Sequence, residues 1–204
     1  NKRYASIDLG LNNLMTVSSN VIKPFIINGK PIKSINQYYN KNVAYFKSRL
    51  PKNHKTSRHI HRLYQRRNQK IEDYLHKSTT RLVNHLVFNH IHTLIIGYNK
   101  GWKQDINIGK RNNQNFVGIP FKRMIEMLTY KCENIGIRVI LQEESYTSKC
   151  SFLDNEDIGK HSTYLGRRIK RGLFKSNKNK KINADLNGAL NILKKIFNFK
   201  RSME

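Results

Sequence analysis

The chain has 204 residues, with 39 Lys plus Arg against 13 Asp plus Glu, a formal net charge of +26. At 38% hydrophobic residues, with 10 Tyr and 9 Phe, it is too apolar for a disordered basic tail and long enough to bury its own core. Like charge in that excess repels itself unless a polyanion relieves it, which points to nucleic acid, and no apolar run approaches the roughly 18–20 residues of a membrane span.

Tyr4 to Leu9, Leu14 to Ser18 and Phe25 to Ile27 read as three short strands, with Asn28-Gly29 as a turn signal. From about residue 36 to 92 basic residues dominate. Ile71, Tyr74, Leu75, Leu82, Val83, Leu86 and Val87 recur there at helical spacing. This stretch is expected to be a long basic helical insertion, a pair of helices broken near Pro51 and Asn53. Arg66, Arg67, Lys70 and Lys77 lie on its charged side and are expected to contact nucleic acid. Thr93 to Tyr98 is a fourth strand, followed by a polar loop over 99–118 that contains Lys110 and Arg111. Phe121 to Ile135 carries one apolar helical stripe, and Gly136 suits its C-terminus. Arg138 to Glu144 is the next strand. Residues 149–181 read as a basic loop with Lys149, Arg167, Arg168, Lys170 and Arg171, and Asn183 to about Phe197 as a last amphipathic helix. Strands alternating with helices after an opening meander indicate α/β with a mixed central sheet. That layout is the ribonuclease H-like one, with carboxylates on the first strand, a later strand and the last helix.

Acids are scarce, so those inside apolar elements need an explanation. Asp8 interrupts an apolar strand, Glu143 and Glu144 end another, and Asp185 opens the last helix. Burying ionised carboxylates without partners is costly, so each should be protonated, paired or bound to metal. Taken singly, Asp185 reads as a helix cap or dipole partner, and the two glutamates as surface acids. Taken together, one acid from each place can converge on two divalent cations about 3.5–4 Å apart, the arrangement for phosphodiester hydrolysis. Mg²⁺, with Mn²⁺ as its substitute, takes oxygen ligands, so no His or Cys is required.

The segments I-D-L-G-L-N-N-L, I-P-F-K-R-M-I-E-M-L, E-E-S-Y-T-S-K-C-S and N-A-D-L-N-G-A-L-N-I-L resemble the C-terminal half of the transposon-encoded OrfB/TnpB family. Members are compact RNA-guided DNA nucleases related to type V CRISPR effectors. The resemblance implies a single RuvC-like nuclease domain over 1–204, Mg²⁺ as cofactor, guide RNA and target DNA as partners, and a prokaryotic, cytoplasmic, nucleoid-associated setting. It makes Asp8 the first acid and Asp185 the last. Many members place the middle acid just after the strand read here as T-L-I-I-G-Y-N, where this chain has Gly97. Some relatives carry it just ahead of Y-T-S, which implies Glu144, or alternatively Glu143, since neighbours on a strand face opposite sides. Members also carry two Cys pairs between Y-T-S and the last Asp. Here Cys150 stands alone in a degenerate zinc-finger-like loop over 149–181, and one thiol cannot build a tetrahedral zinc site, so no zinc is expected. The start at Asn1 without Met suggests a piece lacking the guide- and target-binding N-terminal half.

Other features carry less. Two cysteines outside any C-x-x-C fit a reducing compartment. His59-Ile60-His61 and His90-Ile91-His92 lack companion ligands and read as basic-face histidines. Thr147 and Ser148 read as phosphate or backbone hydrogen-bonders, with a strand-end turn as the rival. Trp102, Tyr146 and Tyr164 could stack on bases or simply pack. Besides the endonuclease, two readings stand: a nuclease-inactive RNA-guided DNA-binding repressor, and an RNA-binding protein of ribosomal type, which leaves Asp8 unexplained.

Overall fold

The computed structural model describes residues 2–99 and 118–197. Trp102 and the expected contact residues Lys110 and Arg111 lie outside the described residues. The elements are β1 (Tyr4–Leu9), β2 (Asn13–Ser19), β3 (Phe25–Asn28), α1 (Lys30–Lys47), α2 (Arg58–Phe88), β4 (Thr93–Gly97), α3 (Phe121–Glu133), β5 (Arg138–Gln142), β6 (Arg167–Lys170), β7 (Leu173–Lys175), β8 (Lys181–Asn183) and α4 (Ala184–Phe197).

Five strands form one sheet in the order β3-β2-β1-β4-β5. The meander β1-β2-β3 is antiparallel, whereas β1, β4 and β5 run parallel, so the sheet is mixed as expected. Period-two alternation divides the work of β1. Ala5, Ile7 and Leu9 enter the main core with α2 and α3. Ser6 and Asp8 turn to the other face, where the Ser6 hydroxyl donates to the Ala189 carbonyl of α4 at 2.6 Å. A smaller core of Ile95, Ile192 and Leu193 lies on that side. The sheet is therefore covered on both faces, by α2 and α3 on one and by α4 on the other.

The basic helices begin earlier than the expected 36, because α1 starts at Lys30. Pro31 sits in its first turn, where a missing N–H and fixed φ cost nothing. The break between helices falls where Pro51 and Asn53 suggested, and Ser57 caps α2 by accepting from Ile60 N at 3.3 Å. Ile135, counted on the stripe of α3, lies past the helix end and is 48% exposed, since Gly136 with φ +76° ends the turn there.

The largest departure is 149–181. Instead of a loop it contains a three-stranded antiparallel sheet, β6-β7-β8. Carboxylates join its turns. Glu156 accepts from Ser151 N at 2.6 Å and Leu165 N at 2.9 Å, while Asp154 accepts from the Ser151 hydroxyl at 2.6 Å and Asn177 N at 2.8 Å. Lys194 of α4 donates to the carbonyls of Asn155 and Glu156, tying this unit to the main fold. No described helix is long and apolar enough to cross a membrane.

Candidate functional site

Asp8 faces α4 because it is two residues from Ser6 on the same side of β1. Gly188 of α4 lets the helix approach: a Cβ there would lie 2.6 Å from Asp8 Oδ2. The Asp8 carboxyl accepts no hydrogen bond among the described residues. Its pKa is held well above the usual carboxylate range, first by burial, then by the charges of Glu144 and Asp185, with Arg168 pulling the other way. Asp8 thus feels the charge of both other acids.

Asp185 is in the first turn of α4 but does not cap it. Asn183 Oδ1 does, accepting from Asp185 N at 2.9 Å and Leu186 N at 3.1 Å. The Asp185 carboxyl is left for other partners. Asn13, at the start of β2, donates to its Oδ2 at 2.7 Å, and Arg168 of β6 reaches its Oδ1 at 3.3 Å.

The two glutamates separate. Strand β5 stops at Gln142, so both lie in the turn beyond it rather than on the strand. Glu143 is exposed, caps its own turn at Ser145 N, and pairs with Lys195 at 3.3 Å. Glu144 is half-buried and turns inward. Asn99 holds it, its Oδ1 accepting from Glu144 N at 3.2 Å and its Nδ2 lying 3.5 Å from Glu144 Oε1. Burial and the neighbouring Glu143 push the Glu144 carboxyl up to about 7, against the pull of Lys195. A Cβ on Gly97 would lie 2.6 Å from Glu144 Oε2 and 2.5 Å from Ile192 Cδ1. The space that a side chain at 97 would take is filled by the carboxylate of Glu144.

The donors are all oxygens, which fits a hard divalent cation. The hydroxyl of Thr16, directly opposite Asp8 in the β1–β2 register, is buried without a partner among the described residues, a second unspent oxygen on this face. Among the described residues no three His, Cys, Asp or Glu side chains enclose a single point closely enough for one ion.

Of the expected nucleic-acid contacts, Arg66, Lys70, Ser148, Lys149, Arg167, Lys170 and Arg171 are exposed. Lys77 pairs with Asp73 at 2.8 Å, and Arg67 is half-buried. Thr147 is a correction: it is 3% exposed and its hydroxyl donates to the Glu144 carbonyl at 2.8 Å, so it builds the turn rather than facing a phosphate. Tyr146 occupies that turn with φ +65°, and Lys149 lies about 6 Å from the rings of both Tyr146 and Tyr164. Asn13, Asn99 and Asn183, which position the acids, were legible only as Asn residues flanking strand ends.

A family model described as "Probable transposase", OrfB_IS605, matches residues 1–103, and the Cas12f1-like TNB domain model matches 121–192. The TnpB-like protein ORF457 of Acidianus two-tailed virus is 24% identical over 95% of this chain and 42% of its own length. Among solved structures, a Cas12f1–sgRNA–target DNA complex superposes with TM-score 0.69 at 18% identity, over 92% of this chain and 48% of that one. A second Cas12f ternary complex gives 0.68 at 16%, over 92% and 38%, and the mini-RNA-guided endonuclease CRISPR-Cas_phi3 gives 0.58 at 13%, over 95% and 45%. The chain spans less than half the length of these relatives, and the fold it shares with Cas12f is RuvC-like. With its first half matched by that model and the carboxylate-bearing sheet in place, the chain belongs to the OrfB_IS605 family of TnpB-like proteins.

Proposed function

We propose that this chain is the RuvC-like nuclease half of a transposon-associated, RNA-guided DNA endonuclease. The observation that carries the reading is that Asp8, buried under Gly188 of α4, feels the charges of both Glu144 and Asp185, three acids from distant parts of a +26 chain. Asp8, Glu144 and Asp185 would hold the cations, with Glu143 outside the site. Magnesium, or manganese in its place, would supply an activated water and neutralise the leaving oxygen of a phosphodiester. Glu144 must lose its proton before it can serve as a ligand, and Asn99 keeps its carboxylate aimed while it does so. Arg168, already beside Asp185, is where a scissile phosphate would need a counter-charge. The exposed cations of β6 and of α2 would hold guide RNA and target DNA, delivered by an N-terminal half. No zinc is proposed for the Cys150 segment, because one thiol cannot build a tetrahedral site; its turns are joined by N–H and hydroxyl groups donating to Asp154 and Glu156. The setting proposed is the prokaryotic cytoplasm.

One observation favours the second reading, a nuclease-inactive DNA-binding derivative: Arg168 and Asn13 each engage one oxygen of Asp185. Cleavage of labelled target DNA by the full-length protein with guide RNA and Mg²⁺ decides between them. The endonuclease reading expects cutting that falls at least about a hundredfold in Asp8→Ala. Guide-dependent binding without cutting would establish the repressor, and cutting undiminished in Asp8→Ala would reject the site.

A further inference from the structure

Helices α1 and α2 pack side by side and leave between them a groove of about 310 Å³, lined by Ser34, Ile35, Tyr38, Tyr39, Leu63 and the cations Arg66, Arg67 and Lys70. Its rings are not core. Tyr38 is 65% exposed, and Tyr39 stands 6.4 Å from Tyr64, itself 48% exposed. Open tyrosines beside aliphatic Ile35 and Leu63 make a flat apolar surface rimmed by positive charge.

Arg67 shows that the groove is built rather than incidental. Its guanidinium donates to Asn36 Oδ1 at 2.8 Å, to Asn68 Oδ1 at 2.8 Å and to the Gly118 carbonyl at 2.7 Å. Asn36 is 3% exposed and also donates to Gly118 O, so the cation is held on a buried polar frame. All three acceptors are neutral. Among the described residues no carboxylate pairs with Arg66, Arg67 or Lys70, and burial lowers the pKa of Arg67. A half-desolvated, fixed positive charge with unspent N–H donors is stabilised by an incoming anion.

We infer that this groove binds a nucleotide of single-stranded nucleic acid, its base stacked on Tyr38 and its phosphate on Arg66, Arg67 and Lys70. A duplex offers phosphates but keeps its base faces covered, whereas a single strand can present both at once. The first turn of α1 links the groove to the loop that holds Asp185. Lys33, on the first turn of α1, donates to Asn12 Oδ1 at 3.4 Å, and the next residue, Asn13, holds Asp185. A strand leaving the carboxylates past Lys33 would enter the groove at Ser34 and Tyr38. That path rests on the nuclease reading; binding in the groove does not.

The test separates the two. Fluorescence anisotropy is measured in EDTA on the Asp8→Ala chain, with a labelled single strand of ~12 nucleotides, in DNA and RNA arms, and with duplex DNA. Tyr38→Ala is expected to weaken single-strand binding roughly tenfold, Tyr38→Phe to restore it, and duplex binding to stay level. Ultraviolet crosslinks should map to Tyr38 or Tyr39, and the tighter arm identifies the strand as RNA or DNA. Unchanged single-strand binding in Tyr38→Ala, an equal loss for duplex, or full competition by polyglutamate would overturn the assignment. Tyr38 is exposed, so the variant keeps its fold, which circular dichroism checks. Because no cleavage is read, a catalytically dead protein that still binds this way retains the groove while losing the nuclease reading.

Discussion

The pairing of Gly97 with Glu144 shows how one residue's absence makes another's placement possible. The two are far apart in sequence and adjacent in space, because β4 and β5 are parallel neighbours with Gly97 opposite Gln142. Replacing Gly97 by Ala puts a methyl group into the Glu144 carboxylate and the Ile192 side chain. We expect Gly97→Ala to cut Mg²⁺-dependent cleavage at least tenfold and to destabilise the fold by about 1–3 kcal/mol, as overpacking does. A parental cleavage rate would show that Glu144 is not the middle acid.

The raised pKa of Glu144 has a definite sign. Its carboxyl holds a proton up to about 7 when folded, against an ordinary 4.5, so between those values the folded form binds more protons than the unfolded chain. Without divalent ions, stability from this group therefore falls as pH rises from about 5 to about 7, and Asp8 adds a slope of the same sign. Melting temperatures in EDTA across that window should decline less steeply in Glu144→Gln. Parallel profiles for the two proteins would mean that Glu144 titrates normally.

At the scale of elements, the sequence is readable where hydrophobic periodicity is strong and mute where it is not. Strands β1, β2 and β4 and helix α3 bury apolar sets, and they and the half-buried β5 lie close to where their patterns put them. Strands β6, β7 and β8 have three or four residues each, and all four residues of β6 are exposed and basic or isoleucine, so no alternation marks them. What shapes this unit is a set of carboxylate hydrogen bonds between turns, which hydrophobic periodicity does not report. Glu156 is the centre of it, 6% exposed and accepting two backbone N–H groups. Removing that acceptor strands both donors. Glu156→Ala is expected to lower stability by roughly 2–4 kcal/mol, read by chemical denaturation, and a loss under about 0.5 kcal/mol would mean that the turns stand without it.

For the whole molecule, composition alone established a folded, basic body suited to a polyanion, because charge and apolar content add up irrespective of arrangement. The strand and helix order of the main sheet and its helices, the mixed α/β class and the candidacy of Asp8 and Asp185 were likewise legible, since each rests on local periodicity or on an acid out of place in an apolar run. Other features depended on tertiary contacts. Which glutamate turns inward follows from where β5 ends and from Asn99; the cap of α4 belongs to Asn183; Arg168 meets Asp185 because a small second sheet folds back onto the helix. The first and last bring together groups 17 or more residues apart, while the cap is local, and in all three side-chain direction is decided by packing, which a linear pattern does not encode.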